Sequence, residues 1–393
     1  MASPQKSRLF LVLAAGFLFL VLFLVKVQNE MHDFQVNYTA GYRLGQGETI
    51  YRPWKPDPGW ENDGHWQFKY SPFSALIYLP LSRLPLPAAK GVWFFFIIIS
   101  ISALASFSSK ADACSPGPAG WAVIAAFLIL GKFFLRELQL GQINAIIAAI
   151  LMGMTALLVK NENGEDAGRD ISAGLLWGLA AALKPYAVIF LPYFALKKRW
   201  RTLAAGTVAA VISLFLPAAF YGFQGNIAVL REWLSSLSES TPVLLTSQDN
   251  VSLLAAFSKW TGQPKLAPVL FGTAAAVLAV LTLIFILRGK NAPGSVFPEC
   301  ALLLLLIPLL SPLGWDYTFL AAFPAVIIVF RRFAGYSKAW QILLVIDFAV
   351  IALSLYDLLG RRNYSQFMAW SVPTVNFLVL AAAVFLLRFK RSG

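Results

Sequence analysis

The sequence is poor in several chemically active residue types. Its 393 residues include two cysteines, Cys114 and Cys300, too few and too far apart for a disulfide framework or a metal site. Only two histidines occur, charged residues make up 13%, and 19 acids stand against 32 lysines and arginines. No glycine-rich phosphate loop of the P-loop or dinucleotide type appears. Neither a nucleotide or other cofactor nor a metal is therefore expected.

Apolar residues dominate the chain instead. They make up 58% of it, and the mean hydropathy of +0.68 excludes a soluble globular protein. The apolar runs repeatedly approach the roughly 20 residues that cross a bilayer. The first run, Leu9 to Val25, is longer than the core of a signal peptide and no small-residue cleavage site follows it, so a retained helix is expected.

The net charge of +13 lies mostly in short loops, where the positive-inside rule places it, so the partner is the bilayer and not nucleic acid. Lys26 is a lone exception. The cations predicted to mark cytoplasmic ends are Lys6 and Arg8, Arg83 and Lys90, 197–201, Arg288 and Lys290, Arg331 and Arg332, and 388–391.

Between these marks the sequence predicts one all-α polytopic domain over 1–393, with about twelve spans. An even number puts both termini in the cytoplasm and makes the long loops 27–71 and 222–265 external. Within 171–196, Lys184-Pro185 either kinks one span or separates two half-spans, and parity favours one kinked span. The predicted spans are 9–26, 72–84, 91–107, 119–135, 142–159, 171–196, 202–221, 266–288, 297–310, 316–330, 339–358 and 371–389.

The first external loop concentrates polar residues. Six of the nineteen acids and both histidines lie between Lys26 and Tyr70. Phe34, Tyr38 and Tyr42 recur every four residues, which predicts a short interfacial helix over about 34–45 with one aromatic face. Asp33 directly precedes it, where an N-cap belongs. An ionised carboxylate at that position also suits general-base catalysis on a hydroxyl.

Several short blocks together resemble the polyprenol-phosphate-dependent glycosyltransferases of family 87, which have the GT-C architecture. Each block is weak alone, but they follow the family's order over most of the chain. The blocks are HDFQVNY at 32–38, GQG at 45–47 with Ile50-Tyr51, FKYSP at 68–72, RELQLGQIN at 136–144, GLAAALKP at 178–185, KRWR at 198–201, NVSL at 250–253 and SPLGWDY at 311–317.

The resemblance implies an integral enzyme of the plasma (inner) membrane. It would move a sugar, typically mannose, from a polyprenyl-phosphate carrier to a hydroxyl of a glycolipid or glycan on the external face, with inversion. The family's catalytic acid maps onto Asp33. Many members have a histidine where this chain has Tyr317, so that role does not transfer, and His32 or His65 are alternative sources of an imidazole.

A departing phosphate needs cations near the external face. The candidates are Arg43, Arg52, Lys69, Arg136 and Lys184. Lys184 is the most unusual, because a lysine within an apolar helix is costly and is functional by default, although it could also snorkel beside Pro185.

Acceptor or sugar contacts are predicted for a further group of polar and aromatic residues. Gln142 and Asn144 could instead be helix caps or interhelical partners, and the simple span count puts 136–144 on the cytoplasmic side, in conflict with catalysis. The aromatic residues of 51–70 could stack on sugars or only mark the interface, and Asp316 could bind a hydroxyl or cap a helix. The group is His32, Tyr38, His65, Tyr70, Glu137, Gln142, Asn144, Trp315, Asp316 and Tyr317, with Asp316, Glu137 and His65 as alternative bases.

Two other classes remain open. A transporter or lipid flippase would need charged or broken-helix sites near the membrane midplane in both halves, and apart from Lys184, Asp347 and Asp357 the predicted spans lack them. A structural subunit would not need Asp33 and its surroundings at all. Sugar transfer from a polyprenyl-phosphate donor distinguishes the enzyme from both.

Overall fold

Helices account for the regular structure of the described chain. The computed structural model describes Gly16 and residues 20–52, 67–111, 119–290 and 292–389. Within these residues the extended pairing is limited to one antiparallel bridge between Asn250 and Trp315, so the predicted all-α fold is confirmed. The α-helices are α1 (His32–Gly45), α2 (Pro72–Tyr78), α3 (Leu86–Ala111), α4 (Ala119–Leu140), α5 (Asn144–Lys160), α6 (Ala167–Leu183), α7 (Leu191–Leu196), α8 (Trp200–Phe215), α9 (Ala218–Leu244), α10 (Leu253–Thr261), α11 (Leu266–Arg288), α12 (Val296–Leu310), α13 (Phe323–Arg331), α14 (Lys338–Leu353), α15 (Tyr356–Ala369) and α16 (Val372–Phe389). Between them lie the 3-10 segments Leu81–Arg83, Pro185–Phe190, Asp316–Ala322 and Phe333–Gly335, and before α1 the π-helical turn Phe23–Val27.

Three of these helices, α3, α11 and α16, are long and apolar enough to cross a membrane. Three further pairs pass the same test together but bend sharply: α4 with α5 by 119°, α8 with α9 by 93°, and α14 with α15 by 103°. By length and composition, the described residues thus hold up to six such spans. A polytopic membrane protein is confirmed. The total of twelve stays a prediction, and most of the predicted span 9–26 lies outside the described residues.

The two ends of the helix bundle differ in charge. At one end, here called the basic end, Arg199 contacts Asp170 at 3.2 Å, and the buried Glu299 accepts hydrogen bonds from Lys197 at 2.9 Å and Arg388 at 2.8 Å. Cations predicted to share the cytoplasmic side therefore do meet at one end. The opposite end, called the site end, is where α1, the α4–α5 junction and the end of α6 come together.

The predicted span 72–84 does not run between the two ends. α2 has seven residues, about 10 Å of helix, because Pro80 cannot continue a helical hydrogen-bond pattern. The Leu84 carbonyl then accepts a bond from α1, and Lys90 donates to two carbonyls just before α1 at 2.8 and 2.9 Å. Arg83 and Lys90 therefore lie at the site end and not with the cations of the basic end, so the expectation that all the marked cations share one side was wrong.

The segment 171–196 forms two passages and not one kinked span. α6 starts at the basic end and finishes at Lys184, whose backbone is extended before Pro185 begins the 3-10 segment. The chain then returns beside α6: the indole of Trp177 donates to the carbonyl of Ala187 at 2.8 Å, and the chain reaches Arg199 at the basic end. The interpretation favoured by parity was wrong, and the two half-spans are correct.

Small residues let α6 pack closely against α8. A Cβ atom at Gly174 would lie 2.4 Å from the carbonyl oxygen of Thr202, and one at Gly178 would lie 2.3 Å from that of Gly206. These separations are possible only for glycine, as in the small-residue interfaces of membrane helices. The contact fixes the direction of α6 and hence the position of Lys184 at its end.

The two long loops lie together at the site end. The Tyr221 hydroxyl donates to the carbonyl of Glu48 at 2.7 Å, and the Trp233 indole donates to that of Lys69 at 3.1 Å. This is the arrangement expected if both loops face one compartment. The second loop is more helical than the short elements predicted, because α9 alone has 27 residues, with a kink at Gly222 where φ is +68°.

Candidate active site

Asp33 lies in the first turn of α1 and does not cap it. The helix begins at His32, and Met31, with φ of +52°, precedes it without a side-chain cap. Met31 is held by a bond from its N–H to the carbonyl of Gln139 at 2.7 Å, and Phe34 stacks on Trp93 with ring centroids 5.8 Å apart. The predicted capping role of Asp33 was therefore wrong. These contacts fix the start of α1 and turn the half-buried Asp33 toward the α4–α5 junction.

Gln142 is the centre of the polar contacts around Asp33. Its buried amide nitrogen donates to the Asp33 carboxylate and, at 3.1 Å, to the Tyr317 hydroxyl. Its amide oxygen accepts from the Tyr70 hydroxyl at 2.9 Å. One side chain thus connects residues from the first loop, the α4–α5 junction and the last motif block. Gln142 therefore forms hydrogen bonds between helices. The alternative that it caps α5 is wrong, because α5 starts at Asn144 and the residue before it is Ile143.

The break between α4 and α5 brings Gln142 to this position. Gly141 has φ of +70°, and a Cβ atom there would lie 2.7 Å from the Cβ of Phe34. Its carbonyl accepts from the Trp93 indole at 2.8 Å. The residues 136–144 therefore lie at the same end as Asp33. The span count had placed 136–144 at the opposite end from Asp33 because it counted 72–84 as a membrane crossing.

Lys184 enters the same cluster from the end of α6. Its Nζ donates to Asn144 Oδ1 at 2.7 Å and lies 4.8 Å and 5.6 Å from the ring centroids of Tyr70 and Tyr186. Nearby, the Ser74 hydroxyl donates to the carbonyl of the last residue of α6 at 2.9 Å, which satisfies that helix end. The half-buried ammonium is directed at the cluster and does not snorkel beside the proline.

Glu137 is buried behind this cluster. One carboxylate oxygen accepts from Asn144 Nδ2 at 2.9 Å and the other from the N–H of Ala145 at 2.8 Å. A carboxylate with both oxygens bound at the start of α5 complements that helix end. This arrangement suits a structural role better than proton transfer to a substrate.

Arg136 joins two acids of different loops. It contacts Asp316 at 3.1 Å and also forms an ion pair with Asp249, and its guanidinium lies 5.9 Å from the ring centroid of Tyr317. The second oxygen of Asp316 accepts from the N–H of Tyr317 at 2.8 Å. Asp249 was not predicted, although it immediately precedes the motif block at 250–253, and this adjacency is the signal that sequence reasoning overlooked.

Lys132 was also missed. It lies in the predicted span 119–135 but was not included among the charged residues within the predicted spans. Its ammonium donates to the carbonyl and hydroxyl oxygens of Ser354. Together with Arg136 one turn later, it borders a cavity of about 790 Å³. Its polar lining also includes Lys26, Glu30, Asp249, Asp316, Asp357 and Tyr364.

Burial raises the pKa of the Asp33 carboxyl above its usual value. The hydrogen bond from Gln142 and the electrostatic effects of Lys184, His32 and Arg136, in that order, lower it. A half-buried carboxylate with these neighbours can accept a proton from a hydroxyl at neutral pH while remaining accessible. Asp33 is therefore the best-placed proton acceptor in the cluster.

Other predicted residues lie away from these contacts. His32 is exposed at the start of α1, and Tyr38 donates to the carbonyl of Leu84 at 2.8 Å. Arg43 is ten residues beyond Asp33, about 15 Å along the helix, and donates to the Arg52 carbonyl. The carbonyl of Lys69 accepts a hydrogen bond from Trp233 of α9. Trp315 stacks beside Tyr317 with ring centroids 6.5 Å apart. His65, like the other residues of 53–66, lies outside the described residues.

Within the described residues, no group of three or more His, Cys, Asp or Glu side chains is arranged to hold a metal ion. The expectation that no metal or other cofactor takes part stays a prediction. The cluster instead combines several carboxylates, the cations Lys184 and Arg136, and several tyrosines at one end of a helix bundle. Such a set can deprotonate a hydroxyl and bind a phosphate.

The chain matches one described family of enzymes. Residues 68–312 match Glycosyltransferase family 87, a stretch that includes Gln142, Lys184 and Asp249 and covers more than half of the chain. No curated protein sequence matches the chain. Among solved structures, it is similar to ArnT from Cupriavidus metallidurans, crystallised in the apo state, with a TM-score of 0.44 and 11% identity over 98% of this chain and 77% of that chain. The match over residues 68–312 confirms the predicted family: the chain belongs to glycosyltransferase family 87 and is a membrane glycosyltransferase.

Proposed function

We propose that this glycosyltransferase moves a sugar, mannose by family resemblance, from a polyprenyl-phosphate carrier to a hydroxyl of a lipid or glycan acceptor, with inversion of the anomeric centre. Asp33 acts as the general base. The single observation that carries the proposal is the position of the Asp33 carboxylate. It is held by Gln142 at the junction of three chain segments, beside the cation Lys184.

The reaction needs one displacement. The acceptor oxygen bonds to the anomeric carbon while the bond from that carbon to the phosphate oxygen breaks, and the electron pair leaves with the phosphate. The acceptor's proton passes to Asp33. Positive charge on the sugar and negative charge on the leaving phosphate both develop in the transition state, so the site must supply an anionic base and a cation.

Lys184 is the cation that we propose for the phosphate. Arg136, also predicted for this role, already contacts two carboxylates, whose combined charge exceeds its own. Lys184 instead donates to a neutral amide oxygen and faces two tyrosine rings. An ammonium whose hydrogen bond goes to a neutral amide can exchange that amide for a phosphate oxygen, with a gain in electrostatic attraction.

The site end would face the outside of the plasma (inner) membrane and the basic end the cytoplasm. The support is the positive-inside rule, since Lys197, Arg199 and Arg388 meet at the basic end. Omitting 72–84 and dividing 171–196 into two passages leaves the proposed number of crossings at twelve. The carboxyl-terminal end of α16 then lies on the cytoplasmic side.

The test is transfer from a radiolabelled polyprenyl-phosphate sugar in membranes that contain Asp33→Asn. The amide cannot accept the proton, so the transfer rate should fall at least about 100-fold. Asp166→Asn is a matched control, because Asp166 caps α6 by accepting from the N–H of Arg169 at 3.0 Å and should keep near wild-type transfer. Near wild-type transfer by folded Asp33→Asn would show that the base is elsewhere.

A further inference from the structure

The side-chain amide of Gln142 has a defined orientation in the cluster around Asp33. An ionised carboxylate can only accept hydrogen bonds, so the amide directs its nitrogen at Asp33 and its oxygen at Tyr70. The Tyr70 hydroxyl is therefore the donor to that oxygen, and its one hydrogen is used. The second N–H of Gln142 is directed at Tyr317, whose hydroxyl oxygen accepts it at 3.1 Å.

The hydroxyl of Tyr317 still has its own hydrogen to donate. Within the described residues this hydroxyl accepts from Gln142 but donates to no acceptor, although Tyr317 is only 5% exposed. A buried hydroxyl normally donates to a partner, because an unpaired polar group costs free energy. The side chain is also held in place, since its ring stacks beside Trp315 and its N–H donates to Asp316. Tyr317 therefore offers a hydrogen-bond donor to a molecule that enters the site.

Geometry indicates which substrate atom can accept that hydrogen. An oxygen of Asp33 and the hydroxyl oxygen of Tyr317 both bind the amide nitrogen of Gln142. The two N–H bonds of a planar amide diverge by about 120°, so these two oxygens lie about 5 Å apart. A third oxygen fits between them at about 2.8 Å from each, an ordinary hydrogen-bond length. A substrate hydroxyl at this point donates to Asp33 and accepts from Tyr317 at the same time.

We propose that Tyr317 binds the acceptor hydroxyl by donating its hydrogen to the oxygen that Asp33 deprotonates. The inference rests on the proposed function, because it adds a contact to the same acceptor. The hydrogen of the acceptor then points at Asp33, and a lone pair of its oxygen remains free to bond to the anomeric carbon. As the proton passes to Asp33, negative charge grows on that oxygen and the hydrogen bond from Tyr317 strengthens. Tyr317 keeps its own hydrogen throughout and orients the nucleophile, whereas Lys184 contacts the phosphate.

The experiment is initial-rate transfer by purified Tyr317→Phe from radiolabelled polyprenyl-phosphate mannose. The acceptor is supplied as a dilution series of a lipid extract from a strain that lacks the protein. Without the hydroxyl, the relative kcat/KM for the acceptor should fall about 2- to 12-fold, while KM for the donor should stay unchanged. Tyr336→Phe is the matched control, because Tyr336 is buried at the basic end and its hydroxyl donates to the carbonyl of Ala383 at 2.8 Å. Its acceptor dependence should equal that of the wild-type protein.

The pH profile of kcat/KM separates this role from a purely structural one. If Tyr317 only ordered Gln142, its loss would weaken the hydrogen bond that lowers the pKa of Asp33, and the acidic limb would move to higher pH. In Tyr317→Phe the other N–H of Gln142 still binds Asp33, so the acidic limb should stay in place. A moved limb, an unchanged kcat/KM for the acceptor, or a change in KM for the donor alone would overturn the inference.

A second substitution keeps the inference testable if Tyr317→Phe does not fold. The replacement Tyr317→3,5-difluorotyrosine keeps the ring and the hydroxyl, and the fluorine atoms make the hydroxyl hydrogen more acidic and a stronger donor. The KM for the acceptor should therefore fall, and an unchanged value would overturn the inference. An absence of transfer by the wild-type protein would refute the proposed function itself, so the two failures are distinguishable.

Discussion

Replacing Lys184 by methionine removes the proposed contact with the donor phosphate, together with a bond to Asn144 and a positive charge near Asp33. Methionine keeps a long apolar stem, so packing against Tyr70 and Tyr186 should persist. The lost bond from the ammonium to Asn144 costs about 1.5 to 3 kcal/mol of stability. A charge-assisted hydrogen bond to phosphate is worth about 1.5 to 3 kcal/mol. The kcat/KM for the donor should therefore fall about 10- to 150-fold.

The assay is initial-rate transfer by purified protein over a range of polyprenyl-phosphate sugar concentrations. Thermal unfolding of the same samples separates a loss of donor contact from a loss of fold. Lys338→Met is a matched control, because Lys338 is an exposed lysine at the basic end. Unchanged donor dependence in folded Lys184→Met would refute the reasoning and leave Lys184 a structural residue that orders Asn144.

Three further predictions concern proton transfer, backbone geometry and topology. Gln142→Leu removes a hydrogen bond that lowers the pKa of Asp33, so that pKa should rise. Because the base must be deprotonated, the acidic limb of the pH profile of kcat/KM should then move to higher pH. An acidic limb that does not move would contradict this role of Gln142. Gly141→Ala should lower the free energy of unfolding by at least about 1 kcal/mol, since φ is +70° and the new Cβ would lie 2.7 Å from a side-chain atom of α1. In thermal unfolding the control Gly120→Ala, where nothing lies within 4 Å, should show no such loss. A single cysteine at Arg83, in a background without the two native cysteines, should be modified by an impermeant thiol reagent from outside; cytoplasmic labelling would restore the original span count.

Much of the candidate site could be predicted from short motif blocks. Gln142, Asn144, Lys184 and Asp316 were predicted from the order of the blocks, and the structure brings them into one region with Asp33. The blocks are short, however, and a partner just outside one is easily overlooked. Asp249 precedes such a block by one residue, and its role became clear from its ion pair with Arg136.

The roles of Asp33 and Glu137 show a second limit. The position of Asp33 before a predicted helix suggested a cap, and Glu137, which lies in a motif block, was predicted as an alternative base. In the fold Asp33 contacts a side chain of another segment, whereas Glu137 accepts bonds at the start of α5. Helix propensities change by small free energies over one or two residues, so the sequence cannot place a helix start accurately enough to separate these roles.

The sequence by itself determined that the protein is helical and lies in a membrane, because apolar run length and charge position act locally. It did not determine the direction of each run. Pro80 ends one helix, and the bonds of Lys90 to nearby carbonyls keep that segment at the site end. At Lys184, the chain turns back because α6 packs on α8 through glycines and the return segment bonds Trp177. Contacts between residues distant in sequence decided these directions, and with them which polar residues share one site.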